Sequence, residues 1–587
     1  MQGGTVPTLT EDRPLDLVTL LDALIAQKVI NPDDASRVVP AAGDPAHPLE
    51  VIACRKLPDA RNPGQVLELE GLCQWLAADA GQPYLCLDPM RIDVAHVTAL
   101  MSAAFAQRHG ILAVAVDADS VTVASAQPFV RGWESDLAQV LKRQIKRVVA
   151  SPERIRNLSR EFFNVARSVT NACQLEIARP AATSIEHLLD LGSLDQEADA
   201  NDTHIVSIVD WLLQYAFEQR ASDIHIEPRR EQGCVRFRID GVLHEAYRFP
   251  PWVTLAAVSR LKSLGRMNVA EKRRPQDGRL KTRTPAGSEV EIRLSTLPTT
   301  FGEKLVLRIF DPELLQRDFQ QLGLVGDDLA CWQRMLGHNH GIVLVTGPTG
   351  SGKTSTLYAS LKQLATPEVN LCTLEDPIEM VEPAFNQMQV DPAIDLCFAN
   401  GVRALLRQDP DIIMIGEIRD LETAQMAIQA ALTGHLVLST LHTNDACAAI
   451  GRLLELGIAH YLIRATLIGV MAQRLIRTLC PACKVPTALP EQDWHALIQP
   501  QQWPLPTEAK QPMGCPACRH TGYRGRTGIH ELLPLSESLK PLICADSDAL
   551  TLRRQALSEG MRSLRLNGAQ KVAAGLTTMG EVARVAP

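Results

Sequence analysis

Leu17, Leu20, Leu21, Leu24 and Ile25 recur at the i, i+3, i+4, i+7, i+8 spacing of one helical face, and Asn31-Pro32 stops the run. A helical N-terminal domain is expected to begin there. Between residues 72 and 130 the pattern mixes helix and strand, and the runs Ile111–Val116 and Ser120–Ser125 predict a hairpin across the Asp117–Asp119 turn. Gly192–Thr203 is rich in Asp, Glu, Ser and Ala and almost lacks large apolar residues. Such a stretch packs poorly and reads as a linker.

From His204 to about Phe310 the spacing predicts a helix over Ile205–Phe217 followed by alternating strands at Asp223–Glu227, Val235–Ile239 and Glu289–Leu294, a small α+β domain. Beyond Leu322, apolar strand runs alternate with helical segments, which is the signature of a parallel sheet covered by helices. The expected domains are therefore 1–150, mixed and helical; 151–203, a helix and linker; 204–318, small α+β; and 319–587, the parallel α/β core. No fixed-period repeat runs through the chain.

The length of 587 residues fits three or four such units, and 46% apolar with 21% charged content excludes wholesale disorder. A net charge of -8 argues against adhesion to nucleic acid along the whole chain. Locally the balance reverses, with fourteen Lys/Arg against five acids between Arg229 and Arg283, so either an anion is met there or the run is a solvated basic surface. No segment approaches the roughly 20 apolar residues that span a bilayer, and a cytoplasmic chain is expected. Of 14 cysteines, ten are scattered and four form two Cys-x-x-Cys pairs, a pattern of free thiols plus one metal site.

The strongest chemical signal is Gly347-Pro348-Thr349-Gly350-Ser351-Gly352-Lys353-Thr354, preceded by the apolar run Ile342–Val345 and followed by a helix with Leu357, Leu361 and Leu364 inward. Glycines let successive backbone N–H groups curl around phosphate oxygens at a helix N-terminus; Lys353 supplies a point charge and Thr354 a magnesium ligand. Two further strands deliver carboxylates to the carboxyl edge of the sheet, where ligands sit in open α/β folds. One is Asp411–Glu417, in which Glu417 can orient Mg2+ and Asp411 reads as a strand-start turn residue. The other, Asn370–Leu374, leads into Glu375-Asp376-Pro377-Ile378-Glu379, where Glu375 is suited to position a water for phosphoryl transfer, a solvated loop acid being the alternative. A third strand lies between His435 and His442, and His442 at its carboxyl end suits a γ-phosphate sensor. Finally, Cys480-Pro-Ala-Cys483 and Cys515-Pro-Ala-Cys518, 31 residues apart, suit four-coordinate structural Zn2+; two redox pairs are the alternative.

In this order the motifs resemble the secretion traffic ATPases, most closely the GspE/PulE type that powers type II secretion. The resemblance covers about residues 200–587 and includes Ala221–Pro228, Arg274–Arg279, Ile292–Pro298, the phosphate loop, Leu374–Glu379, Arg407–Asp411, Gly416–Asp420, the two-histidine strand and Gln473-Arg474-Leu475. It implies a multidomain α/β chain: an N-terminal docking domain, a basic PAS-like α+β domain, and a RecA-like P-loop ATPase core with a zinc insertion at about 476–530. It implies ATP, Mg2+ and Zn2+ as cofactors, Glu375 as the water-activating acid, Glu417 as the magnesium-side carboxylate, and His435 and His442 as a histidine box. Arg279 and Arg293 resemble the basic residues that reach nucleotide phosphates from the smaller domain, tying hydrolysis to domain closure. It further implies a cytoplasmic homo-hexamer peripherally bound to an inner-membrane platform protein, driving a pseudopilus without nucleic acid. A type IV pilus extension ATPase is the nearest alternative; a nucleic-acid-dependent RecA-like motor is a more distant one, since aromatics for base stacking are sparse in the basic run.

Overall fold

Asp16 caps the helix Leu17–Ala26 by accepting the Thr19 backbone N–H (3.1 Å), and Leu20 and Leu24 on its apolar face are fully buried. That helix ends five residues before Asn31, where Lys28 turns left-handed (φ 57°), and Asn31 instead caps a new short helix, Pro32–Ala35. The Pro at the first helical position thus starts a helix here rather than stopping one. The structure is a computed structural model describing residues 12–38, 47–61, 66–177, 202–285, 287–310, 315–499 and 501–586. The linker expected at Gly192–Thr203 lies almost wholly outside the described residues.

The chain divides into two compact units, Met1–Ile309 and Phe310–Pro587. In the first, strands β1 (Ile111–Val116) and β2 (Ser120–Ser125) pair antiparallel as the hairpin their sequence suggests, and β3 (Gln144–Val149) adds parallel to β2. A second sheet has the order β6-β5-β4-β9-β8-β7, built from β4 (Asp223–Glu227), β5 (Gly233–Ile239), β6 (Val242–Phe249), β7 (Gln276–Arg283), β8 (Glu289–Thr299) and β9 (Gly302–Phe310). One hydrophobic cluster runs from Leu87 to Leu307, joining the three-stranded sheet, the helices Pro152–Ile177 and Thr203–Glu218, and the inner face of the six-stranded sheet. Trp211 fastens the two helices by donating to Glu161 (2.7 Å).

The outer face of that sheet explains much of the basic run. Glu227, 3% exposed, accepts from Arg229, Arg236 and Lys304, and Asp223 meets Arg238 and Arg308. Lys262, fully buried, donates to Glu303 (2.7 and 2.9 Å) and to the Glu271 carbonyl (2.7 Å). Several cations between Arg229 and Arg283 thus have their counter-ions on strands outside that window, which a count along the sequence does not reveal.

In the second unit, β10 (Gly341–Thr346), β11 (Leu371–Glu375), β12 (Asn386–Gln389), β13 (Ile412–Ile415), β14 (Leu436–Leu441), β15 (Leu467–Leu479) and a last strand, Tyr523–Pro534, form one sheet. Its order is β12-β11-β13-β14-β10-β15 followed by that last strand. The first six are mutually parallel, as expected, and the last runs antiparallel to β15. Every residue of β10, β13 and β14 is buried, because helices cover both faces. The long β15 ribbon with its antiparallel partner carries the four cysteines beyond one end: β15 runs into Cys480, and the partner begins five residues after Cys518.

Candidate active site and a tetracysteine cluster

Immediately after β10 the chain turns through Gly347 and reaches helix Lys353–Leu364 by way of Gly352, which has φ 87°. That left-handed backbone, with a Cβ at Gly352 only 2.8 Å from the Gln473 Nε2, leaves no residue but glycine comfortable there. Pro348, Thr349 and Gly350 are exposed on the loop, Ser351 is buried, and Lys353 and Thr354 are the first two residues of the helix. The eight residues therefore form a strand, loop and helix N-terminus at the carboxyl edge of the sheet, the arrangement that aims backbone N–H groups at phosphate. Lys353 Nζ donates back to the Gly347 carbonyl (2.8 Å) and the Pro348 carbonyl (3.2 Å). Burial pushes its pKa down to about 8; Glu417 opposes the shift and Arg474 adds to it.

Strand β14 ends beside the loop. Thr443 is laced to the end of β10, its N–H donating to Thr346 Oγ1 (2.8 Å) and its hydroxyl lying 2.7 Å from the same oxygen. That places His442 at the loop's edge, with its Nε2 3.4 Å from Glu417 Oε2. Glu417, two residues beyond β13, also pairs with Arg419. Lys353, Thr354, Glu417 and His442 thus gather at one sheet edge, where the carboxylate and the hydroxyl are the donor types a hard divalent cation takes.

Glu375, the last residue of β11, is 3% exposed and has both oxygens engaged. Tyr358 donates to Oε2 (2.7 Å), while Thr373 (2.7 Å) and Gln387 Nε2 (3.1 Å) donate to Oε1. Burial, then the Glu375 carboxylate itself, push the Tyr358 pKa up, so the phenol stays a donor. His435 sits at the other end of β14 from His442: its carbonyl accepts the N–H of Gly341 at the start of β10, and its Nδ1 lies 2.9 Å from the Ala430 carbonyl. The fold therefore does not bring His435 to the phosphate loop of its own chain. Asp411 is the turn residue its position suggests, accepting the Asn370 N–H (2.7 Å). Arg279 and Arg293 belong to the first unit, where they are direct cross-strand partners on β7 and β8, both within 3.9 Å of Glu291.

Cys480, Cys483, Cys515 and Cys518 bring their four sulfurs within 4.8 Å of one another, with contacts of 3.8 Å (Cys480–Cys515) and 3.7 Å (Cys483–Cys518, Cys515–Cys518). These exceed a disulfide and match the sulfur–sulfur edge of about 3.8 Å in a tetrahedron with Zn–S near 2.3 Å. The backbone N–H groups of Cys515 (3.1 Å) and Gly522 (3.2 Å) point at Cys518 Sγ, donors that stabilise the negative charge of a thiolate ligand. The residues present fit zinc. Tyr358, Gln387, Arg419 and Gln473 were not singled out individually by sequence; each acts through a contact 2 to 122 residues away in the chain, and although Arg419 and Gln473 lie in the Gly416–Asp420 and Gln473-Arg474-Leu475 motifs, the motif does not reveal that contact.

A glycine-rich phosphate loop on a parallel sheet, with a carboxylate and a histidine converging on its edge, defines a P-loop nucleotide hydrolase. The sequence profile of the type II/IV secretion system protein family matches residues 198–584, and the chain belongs to that family. A MshEN domain profile matches residues 80–169. The chain is 53% identical over 542 residues to the type IV pilus assembly ATPase TfpB of Acinetobacter baylyi, covering 92% of each chain. It is 40% identical to the type IV pilus assembly ATPase PilB of Myxococcus xanthus, over 88% of this chain and 91% of that one. With the type II secretion system ATPase E of Vibrio cholerae it shares 42% identity over 77% of this chain and 85% of that one. Among the described residues no helix is long and apolar enough to cross a membrane.

Proposed function

We propose that this chain is a cytoplasmic motor ATPase that hydrolyses ATP to drive assembly of a pseudopilus and protein export by type II secretion. The convergence of Lys353, Glu417 and His442 on the phosphate loop is the observation that carries the reading. The loop's N–H groups and Lys353 bind and orient the phosphates, and Glu375, fixed by Tyr358, Thr373 and Gln387, orients the attacking water. His442 reports the presence of the outer phosphate to Glu417. Thr354 and Glu417 would hold Mg2+, which would supply neutralisation of phosphate charge. The four cysteines hold a structural Zn2+, the assembly is a homo-hexamer, and the N-terminal domain docks on an inner-membrane platform protein.

A second reading, type IV pilus extension, is favoured by the relatives matching nearly the whole length, since TfpB and PilB cover 92% and 88% of the chain. Deleting the coding sequence from its host separates the two: loss of protein export with normal surface pili supports secretion, and loss of pili supports extension. For the enzyme itself, Lys353→Ala and Glu417→Gln are each expected to abolish magnesium-dependent ATP hydrolysis by the purified oligomer. Full turnover in both variants would refute the site, and hydrolysis that requires polynucleotide and collapses in salt would favour a nucleic-acid motor.

A further inference from the structure

Gln473 lies on β15 one residue beyond Ala472, which pairs with Thr346 at the end of β10, so its side chain meets the underside of the phosphate loop. It is 1% exposed. Its Oε1 accepts from the Thr356 hydroxyl (2.7 Å), and its Nε2 donates to the Ser351 carbonyl (2.9 Å). The two contacts fix the amide's orientation, since a carbonyl can accept only from the NH2 end. The bond is the last in a buried series: Trp332 Nε1 donates to Ser360 Oγ (3.1 Å), Ser360 to the Thr356 carbonyl (2.8 Å), and Thr356 to Gln473.

Holding the Ser351 carbonyl has a geometric consequence. A trans peptide is planar, and its N–H points opposite to its C=O. With the Ser351 carbonyl drawn back onto Gln473, the N–H of Gly352 is aimed away from β15, toward the side of the loop where phosphate binds, and it finds no acceptor among the described residues. Glycine at 352 tolerates other backbone angles, so nothing local prevents this peptide from flipping. We propose that Gln473 is the positioning residue of the phosphate loop, a latch that holds the 351–352 peptide plane with the Gly352 N–H presented to the nucleotide. The inference rests on the nucleotide-site reading and goes beyond it by assigning the loop's donor geometry to a side chain from another strand.

The experiment measures ADP affinity by calorimetry, with Mg2+, for wild type, Gln473→Met, Gln473→Glu, Thr356→Val and the control Lys353→Ala, each alongside apo melting temperature and zinc content. Gln473→Met keeps the volume but leaves the Ser351 carbonyl free to turn; affinity is expected to fall roughly 5- to 50-fold. Gln473→Glu sets a carboxylate against that carbonyl and should be weaker still. Thr356→Val removes the support of the latch and should lose a few-fold, which keeps the idea testable if the Gln473 variants fail to fold. A drop in melting temperature with unchanged ADP affinity, or wild-type affinity in all three variants, would overturn the latch. Failure of wild type itself to bind ADP would instead sink the nucleotide-site reading.

Discussion

Raising the pH from 7.5 to 9.5 should weaken nucleotide binding through a single ammonium group. Burial lowers the Lys353 pKa from 10.5 to about 8 in the free protein. Phosphates arriving within contact distance favour the charged form, so in the complex the group titrates higher. Free protein is about nine-tenths protonated at pH 7 and about one-tenth at pH 9. Binding above pH 8 must therefore take up a proton, and the dissociation constant is expected to rise, approaching about tenfold per pH unit, until the pKa of the complex is reached. The sign follows from the depressed value: neutral lysine is the free form at high pH, so affinity is lost as pH rises. ADP is a clean probe because a phosphate's second pKa, about 6, leaves its charge constant over this range. Calorimetry in buffers of different ionisation heat reads the proton uptake directly, near zero at pH 7 and approaching one near pH 9. Lys353→Arg should flatten the profile, since guanidinium stays charged, even though its fork fits the loop less well. A dissociation constant independent of pH, with no proton uptake in wild type, would refute the view that Lys353 is a desolvated cation waiting for phosphate.

Cys480→Ser should release the metal, taking zinc from one per chain toward none by elemental analysis while ADP affinity stays within about twofold. Glu375→Gln is expected to bind ATP normally and block turnover in a single-turnover assay, whereas Tyr358→Phe, which removes one of the three donors to Glu375, should lower kcat with ADP affinity intact and cost about 1–2 kcal/mol in stability. Glu581, 3% exposed, anchors the C-terminal helix to β15 through Arg477 and is also paired with Arg584 on its own helix; Glu581→Ala should cost roughly 3 kcal/mol by chemical denaturation. Burial works against that carboxylate, but the two guanidinium groups outweigh it and hold its pKa at about 2, so its stabilisation is present above the ordinary value of 4.5 and is lost as pH falls from there toward 2.

Much of the second unit is legible along the chain because its signals are local. Ile342–Val345 followed by Gly347–Thr354 is a strand, a loop and a helix start that need no partner to be recognised, and the two cysteine pairs carry their chelating spacing within four residues each. The parallel sheet follows from strands buried at every position. Helix limits were less legible: Asn31-Pro32 reads as a stop along the chain, whereas the first helix has already ended at Ala26 before the left-handed Lys28 and Asn31-Pro32 begins another. Charge was the least legible property. Arg236 and Lys262 count as excess cations between Arg229 and Arg283, yet their carboxylates, Glu227 and Glu303, arrive from β4 and β9.

The same distinction separates the two histidines and explains what the motif-by-motif reading lacked. His435 and His442 flank one strand and look equivalent, but a parallel strand has a ligand edge and a far edge, and six residues of β14 between them put His442 with Glu417 and His435 against the start of β10. Gln473 shows the converse. It sits 122 residues from Ser351, inside a three-residue motif with no recognisable chemistry of its own, yet the parallel pairing of β15 with β10 sets it directly beneath the loop. A motif supplies the atoms that meet the nucleotide, while the orientation of those atoms depends on strands that neighbour it only in the folded sheet.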